Sequence, residues 1–185
     1  MMMLKTISLN SPRLGEEIVE ALLTDGFFLL SDHGVPLERI TAAAKVFFGD
    51  EAAKRAVPMA HYRGYSALGS EVTRYDGVRK RDWHEGFDYI PETDDPQWAG
   101  KNQFPSEEFR AVVEEFVAKA NATGFRVVRA IEAALGLREG RIINGEPFSL
   151  LRLLHYPPLG KGESAVNTEL EVGLGIGEVM RTMRA

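Results

Sequence analysis

Cysteine is absent from the 185 residues, which excludes disulfides, thiolate metal sites and a cysteine nucleophile, and fits a reducing compartment such as the cytoplasm. Long hydrophobic runs are lacking too. No apolar stretch approaches the ~20 residues that a membrane helix needs, and the Met1-Met2-Met3-Leu4-Lys5 start has no apolar core of the signal-peptide kind. The chain therefore reads as soluble and untargeted. Basic residues are in the minority, with 22 Lys and Arg against 27 Asp and Glu and a net charge of -5. That balance speaks against a nucleic-acid partner, because neutralising phosphates needs clustered cations. The one basic run, Arg79-Lys80-Arg81, stands between Asp76 and Asp82 and reads as a solvated loop. No Gly-x-Ser-x-Gly elbow exists to support a serine hydrolase. Gly173-Leu174-Gly175-Ile176-Gly177 places its third glycine one position early for a dinucleotide loop and has no βαβ unit around it, so it reads as a flexible tail.

What is present is ordinary globular material, 44% hydrophobic and 26% charged, enough for one good core. Ser11-Pro12 followed by Leu14, Ile18, Leu22 and Leu23, with Gly26 behind, predicts a capped helix. Phe27-Phe28-Leu29-Leu30-Ser31 is wholly apolar up to its last residue and predicts a strand buried on both faces. Ile40, Ala44 and Phe47 recur at helical spacing from Leu37 to about Phe48, and a shorter helix is expected from Asp50. Between Pro58 and Gly77 the Gly, Ser and Tyr content predicts a long surface loop. Glu85 to Ile90 alternates like a half-buried strand. Pro91 to Pro105 is a polar connector with three prolines. The strongest helix signal follows: Ser106 as N-cap, Glu107 and Glu108 in the first turn, then Phe109, Val112, Val113, Phe116, Val117 and Ala120. The stripe resumes at Val127, Ile131, Ala134 and Leu135 and ends at Gly136. Gly124 inside it predicts a bend or a close helix contact, since glycine there costs about 1 kcal/mol relative to alanine. Phe148 to Tyr156 predicts a strand stopped by Pro157-Pro158. Residues 160–185 carry no strong pattern.

Several of these segments share a second property. Gly26-Phe27-Phe28-Leu29-Leu30-Ser31-Asp32-His33-Gly34-Val35-Pro36 resembles the opening of the isopenicillin N synthase-like oxygenases. Phe47-Phe48 ahead of Asp50-Glu51, Tyr62-Arg63-Gly64-Tyr65, Glu85-Gly86-Phe87-Asp88-Tyr89, Gln97-Trp98 with Asn102-Gln103-Phe104-Pro105, and Leu151-Arg152-Leu153-Leu154-His155-Tyr156-Pro157-Pro158 follow in that family's order. Ordered matches from about residue 5 to 158 make the likeness specific. It implies an α+β fold, with an N-terminal helical region packed on an incomplete double-stranded β-helix, the cupin-like jelly roll. Residues 1–158 would be the oxygenase N-terminal domain with an early barrel strand, and 159–185 a divergent tail, truncated or frameshifted.

The family uses iron(II) and 2-oxoglutarate on a small-molecule substrate, with iron held by His-x-Asp and a distant histidine. The histidines here are His33, His61, His84 and His155, and none precedes an acid by two places. At the expected location stands Asn167-Thr168-Glu169. No metal ligand, no catalytic residue and no bound cofactor are therefore expected of this chain. The resemblance assigns Tyr156 a contact to 2-oxoglutarate. It sets Tyr62, Arg63 and Tyr65 on a loop near the active-site mouth, where substrate contact and plain loop packing both stand as readings. His33 is expected to cap backbone groups. Arg152 and His155 alternate with Leu151, Leu153 and Leu154, so a barrel strand would send some of these side chains inward, and Arg152 equally reads as satisfying a buried carboxylate. The functional expectation is an N-terminal fragment of an oxygenase, inactive alone. The alternative is a non-catalytic binding or interaction module, with self-association through an exposed sheet edge. A third is an enzyme assembled in trans or using Glu169.

Overall fold

The computed structural model describes residues 4–75, 78–145 and 148–158. They fall into two compact units, one made of the chain up to Lys45 with Ser106–Ser149, the other of Val46–Pro105 with the chain from Leu150 onward.

In the first unit, β1 (Thr6–Ser8) and β2 (Leu29–Ser31) form a two-stranded parallel ladder with Ile7 opposite Leu30, joined through helix α1 (Leu14–Thr24). Ser11 does not cap α1 directly. Its hydroxyl accepts from Arg13 N–H and donates to Glu17, so the helix begins one short turn later than the sequence suggests. Gly26, at φ 79°, ends the exit turn, and its N–H reaches back to the Ala21 carbonyl. Ile7, Ile18 and Ala21 form the core here, with Leu14, Phe28, Val127 and Ile131 packed around them. The expectation that Phe27–Ser31 would be covered on both faces is corrected. Phe28 and Leu30 are half-buried on one face, while Phe27 and Leu29 are exposed on the other, because a two-stranded ladder on one helix has only one side to cover.

Helix α4 (Glu107–Ala134) is the spine of this unit. Ser106 Oγ accepts from Phe109 N–H at its start, as the sequence predicts. It runs unbroken through Gly124, where an added Cβ would meet nothing within 4 Å. The close approach belongs instead to Gly15 of α1, whose Cβ would fall 2.2 Å from the Ala130 carbonyl oxygen. Gly124 thus marks no helix contact. Past Gly136, which closes α4 at φ 65°, the turn is organised by buried Glu132. Its carboxylate accepts from Ile142 N–H at 2.6 Å, Gly140 N–H at 3.1 Å and Arg129 Nη1 at 2.7 Å. The Ile142 bond leads in lowering its pKa to about 2, Arg129 and Gly140 adding to it against burial.

Helix α2 (Leu37–Phe48) crosses from the first unit to the second, and α3 (Glu51–Ala56) follows with Asp50 accepting from the Ala52 and Ala53 N–H groups. The second unit holds an antiparallel sheet in the order β3 (Gly64–Ser66), β6 (Glu85–Tyr89), β7 (Leu151–His155). A separate hairpin pairs β4 (Val72–Tyr75) with β5 (Val78–Arg81). The long loop expected over Pro58–Gly77 therefore contains strands. Arg79-Lys80-Arg81 lies in β5 rather than in a loop, since pairing with β4 supplies the hydrogen bonds its own pattern does not announce. β6 and β7 lie where the sequence reading sets strands, but residues 85–88 are buried on both faces rather than half-buried, because β6 is flanked by β3 and β7. β7 begins only at Leu151, and Pro91–Pro105 has no helix or strand. Among the described residues no helix is long and apolar enough to cross a membrane. The segment 159–185, with Asn167, Glu169 and the glycine run, lies outside the described residues.

Candidate functional site

Central strand β6 sorts its side chains by parity, because successive strand residues point to opposite faces. Its register puts Glu85 opposite His155 and Phe87 opposite both Leu153 and Tyr65. On that side lie Phe47 and Phe48 from the end of α2, with Phe47 5.3 Å from Phe87 and Phe48 stacked on His155 at 5.3 Å. Buried among them, Glu85 accepts from Lys54 Nζ at 3.1 Å and from Tyr65 Oη, and lies 2.7 Å from His155 Nδ1. Burial alone would raise the Glu85 pKa, but the bonds from Tyr65, His155 and Lys54 bring it below the ordinary value. Burial and the Glu85 carboxylate push the Tyr65 phenol up to about 12. Burial disfavours the Lys54 charge, yet Glu51 and Glu85 hold its pKa above the usual one. Each polar group on this face is answered by another, which suits a buried lock rather than a reactive centre.

The even-numbered face is different. Gly86 and Asp88 of β6 are opposite Leu154 and Arg152 of β7. Arg152 holds Asp88 in a two-point fork, Nε to Oδ1 at 2.8 Å and Nη2 to Oδ2 at 2.9 Å, and also reaches Glu71, Nη1 to Oε2 at 3.0 Å and Nη2 to Oε1. These bonds, Asp88 first, raise the guanidinium pKa further above its ordinary value. Ser66 Oγ sits 3.0 Å from Ser70 Oγ and 3.4 Å from Glu71. His84, just before β6, brings Nε2 to 3.5 Å from Glu71 Oε2, and the ring of Tyr156, just after β7, lies 5.4 Å from the His84 ring. A polar surface thus runs along one side of the sheet and ends at the tyrosine that the resemblance singles out.

The other sequence candidates separate. Arg63 is 2% exposed and its guanidinium donates to four backbone carbonyls: Ile90, His61, Pro91 and Trp98. Tyr65 faces the Glu85 lock. Tyr62 is 65% exposed, in a two-residue turn where both His61 and Tyr62 have positive φ, with its ring 5.6 Å from Trp98. His33 accepts from Val35 N–H through Nδ1 at 3.0 Å, the capping role expected of it. Arg152 meets carboxylates, the second of its two readings. Sequence reasoning missed that Glu71 and Glu85 are hubs. The only signal is acid at one end of each pair and base at the other, scattered along the chain.

Among the described residues the donor set does not fit iron. A facial triad needs three convergent ligands, and among the described residues no group of three or more His, Asp or Glu is gathered as a metal ion would require. His155 and His84 each meet one carboxylate, on opposite faces of the sheet.

Comparison with known proteins gives this geometry a setting. A family model described as the N-terminal region of the non-haem dioxygenase in morphine synthesis matches residues 4–107. A homoarginine-6-hydroxylase of Glycine max is 30% identical over 82% of this chain and 49% of its own length. The 2-oxoglutarate-dependent dioxygenase frbJ of a Dothideomycetidae species is 29% identical over 82% of this chain and 45% of its own. The chain spans about half the length of these relatives. A 2OG-Fe(II) oxygenase family protein of Caulobacter crescentus superposes with a TM-score of 0.68 at 25% identity, over 89% of this chain and 59% of that one. A full-length Neurospora crassa protein solved in complex with alpha-KG shares the fold, with a TM-score of 0.64 at 23% identity over 82% and 54% of the two chains. With a family match over more than half its length and an α+β fold shared with these structures, the chain belongs to the isopenicillin N synthase-like 2-oxoglutarate/Fe(II) oxygenase family, of which it matches the N-terminal region.

Proposed function

We propose that this chain is the N-terminal part of an oxygenase that oxidises a small organic substrate with iron(II) and 2-oxoglutarate, and that it does not carry out that oxidation alone. The observation that carries the reading is the β3–β6–β7 sheet, with one face locked on Glu85 and the other polar and ending at Tyr156. In this reading residues 1–158 are the family's N-terminal domain, β7 is an early strand of its double-stranded β-helix, and Tyr156 contacts 2-oxoglutarate. Of the loop residues, Tyr62 is the substrate contact, while Arg63 braces the loop and Tyr65 belongs to the lock. Iron and 2-oxoglutarate would supply the oxidising chemistry, but the donor set of the described residues does not fit the metal. The homoarginine hydroxylases among the relatives make a small amino-acid-like substrate the natural first trial.

The test is anaerobic ferrous titration of the purified chain, then oxygen and 2-oxoglutarate with succinate as the readout. No stoichiometric iron and no succinate are expected. One tightly bound ferrous ion with oxygen consumption overturns the reading. A second reading, a non-catalytic interaction module, draws on one feature: among the described residues β7 is an edge strand of its sheet, with exposed Leu150 just before it. An unpaired edge of this kind recruits another strand. Concentration-dependent self-association by sedimentation favours this module, and a monomer at all concentrations removes it.

A further inference from the structure

The polar face of the sheet is built in a way its internal bonds do not exhaust. Arg152 is gripped on both sides by Asp88 and Glu71, so it has little left to offer an anion. Asp88 and Glu71 together carry one negative charge more than Arg152 supplies. Glu71 keeps 30% of its side chain exposed, open to approach from solution.

Beside it, His84 is 8% exposed, and its Nε2 is buried with no hydrogen-bond partner. The 3.5 Å gap to Glu71 Oε2 is one an ion pair tolerates. It is too long for a good hydrogen bond. A buried nitrogen left unpaired in this way is rare enough in native structures to call for a partner. Serine hydroxyls of Ser66 and Ser70 add acceptors on the Glu71 side, and the Tyr156 ring closes the other.

We infer that the Glu71–His84 corner beside Tyr156 is a subsite for a positively charged N–H donor group, a guanidinium or ammonium end of the substrate. A group of this class answers both deficits at once, giving Glu71 a charge partner and presenting N–H bonds to the Glu71 and His84 atoms that face each other. A carboxylate end meets the excess negative charge and is repelled. A neutral amide supplies the hydrogen bonds without the charge. The inference deepens the proposed function, resting on its assignment of a 2-oxoglutarate contact to Tyr156 at this end of the sheet.

The test uses the full chain with isotopically labelled histidine, followed by NMR at fixed ionic strength while n-butylguanidinium is added, with n-butylurea and butyrate as comparators. Expected is a saturable shift of the His84 imidazole resonances with the guanidinium, at least ten-fold weaker with the urea and absent with butyrate. Glu71→Gln, whose amide oxygen can still accept from Arg152, should weaken guanidinium binding at least ten-fold. An unmoved His84 resonance, an equal response to the urea, or undiminished binding to folded E71Q overturns the inference. Should E71Q fail to fold, the guanidinium-against-urea comparison on the unaltered chain decides by itself. Iron uptake with succinate formation would sink the inactive-fragment reading without touching this result, and a silent His84 would sink the subsite without touching that one.

Discussion

Replacing glycine by alanine inside a helix ordinarily stabilises, by up to about 1 kcal/mol. The two helical glycines of the first unit should respond with opposite signs. At Gly15 of α1 the new methyl would lie 2.2 Å from the Ala130 carbonyl oxygen, 2.9 Å from its carbon and 3.0 Å from Ala134 Cβ. The obstruction is backbone of α4, which cannot swing aside, so the helices must part by about 1 Å. A gap of that size forfeits a quarter to a half of each affected van der Waals contact, and the contacts at stake include Ile18, Ala21, Val127 and Ile131. Overpacking of this kind costs about 1–3 kcal/mol, and rigid backbone puts Gly15 near the upper end. After the helix-propensity gain, Gly15→Ala should destabilise by about 2 kcal/mol. At about 2–4 °C per kcal/mol for a chain of this size, thermal unfolding should shift down by roughly 4–8 °C. Gly124→Ala, with nothing within 4 Å of the new atom, should instead raise the midpoint by about 2–4 °C. Circular dichroism melts of the two variants beside the parent decide the matter. A Gly15→Ala protein at least as stable as the parent would refute the close crossing of α1 on α4.

The brace on the loop can be tested through Arg63→Lys, which keeps the charge but exchanges a planar fork for a single ammonium. At least two of the four carbonyls should lose their donor, at about 1 kcal/mol or more each. Faster hydrogen exchange confined to residues 58–66 and 90–98 is expected, and unchanged protection there would refute the bracing role. The carboxylate of Glu132, with its pKa lowered to about 2 from the ordinary 4.5, supplies stability that is fully present above pH 4.5. That stability is lost as pH falls toward 2, because protonation then removes the favoured charged form. Glu132→Gln should therefore be less stable than the parent at pH 7, with the difference shrinking across this window. A difference that stays constant from pH 7 to pH 2 would refute the assignment.

Helices were the legible part of this chain, since their signals are local. Ser106 and Asp50 cap, Gly26 and Gly136 stop, and the apolar spacing in between needs no distant partner. Short strands were not. β1 and β3 have three residues each, less than two full periods of alternation, and exist because a partner elsewhere completes their hydrogen bonds. The hairpin β4–β5 was hidden for the same reason, its polar sequence carrying no alternation. The paired charges of the site lay further out of reach. Arg152 finds Asp88 64 positions away and Glu71 81 positions away, so the sequence could announce that Arg152 wants a carboxylate without saying which.

Parity along β6 gives the strand two faces of different character. Glu85 and Phe87 turn toward the aromatic residues of α2 and the buried Lys54, where Lys54, Tyr65 and His155 all meet Glu85 and fix the register. Slipping the strand by one residue would drive Asp88 into that apolar side and expose Phe87, so the odd positions hold the even ones in place. On the even side, Gly86 packs close under Leu154, where an added Cβ would fall 3.2 Å from Leu154 Cδ2. The polar surface from Ser66 through Glu71 and Arg152 to Tyr156 can therefore keep unmatched atoms such as His84 Nε2. Its position does not depend on satisfying them. An unpaired atom on one face is tolerable because the pairs on the other face already fix the register.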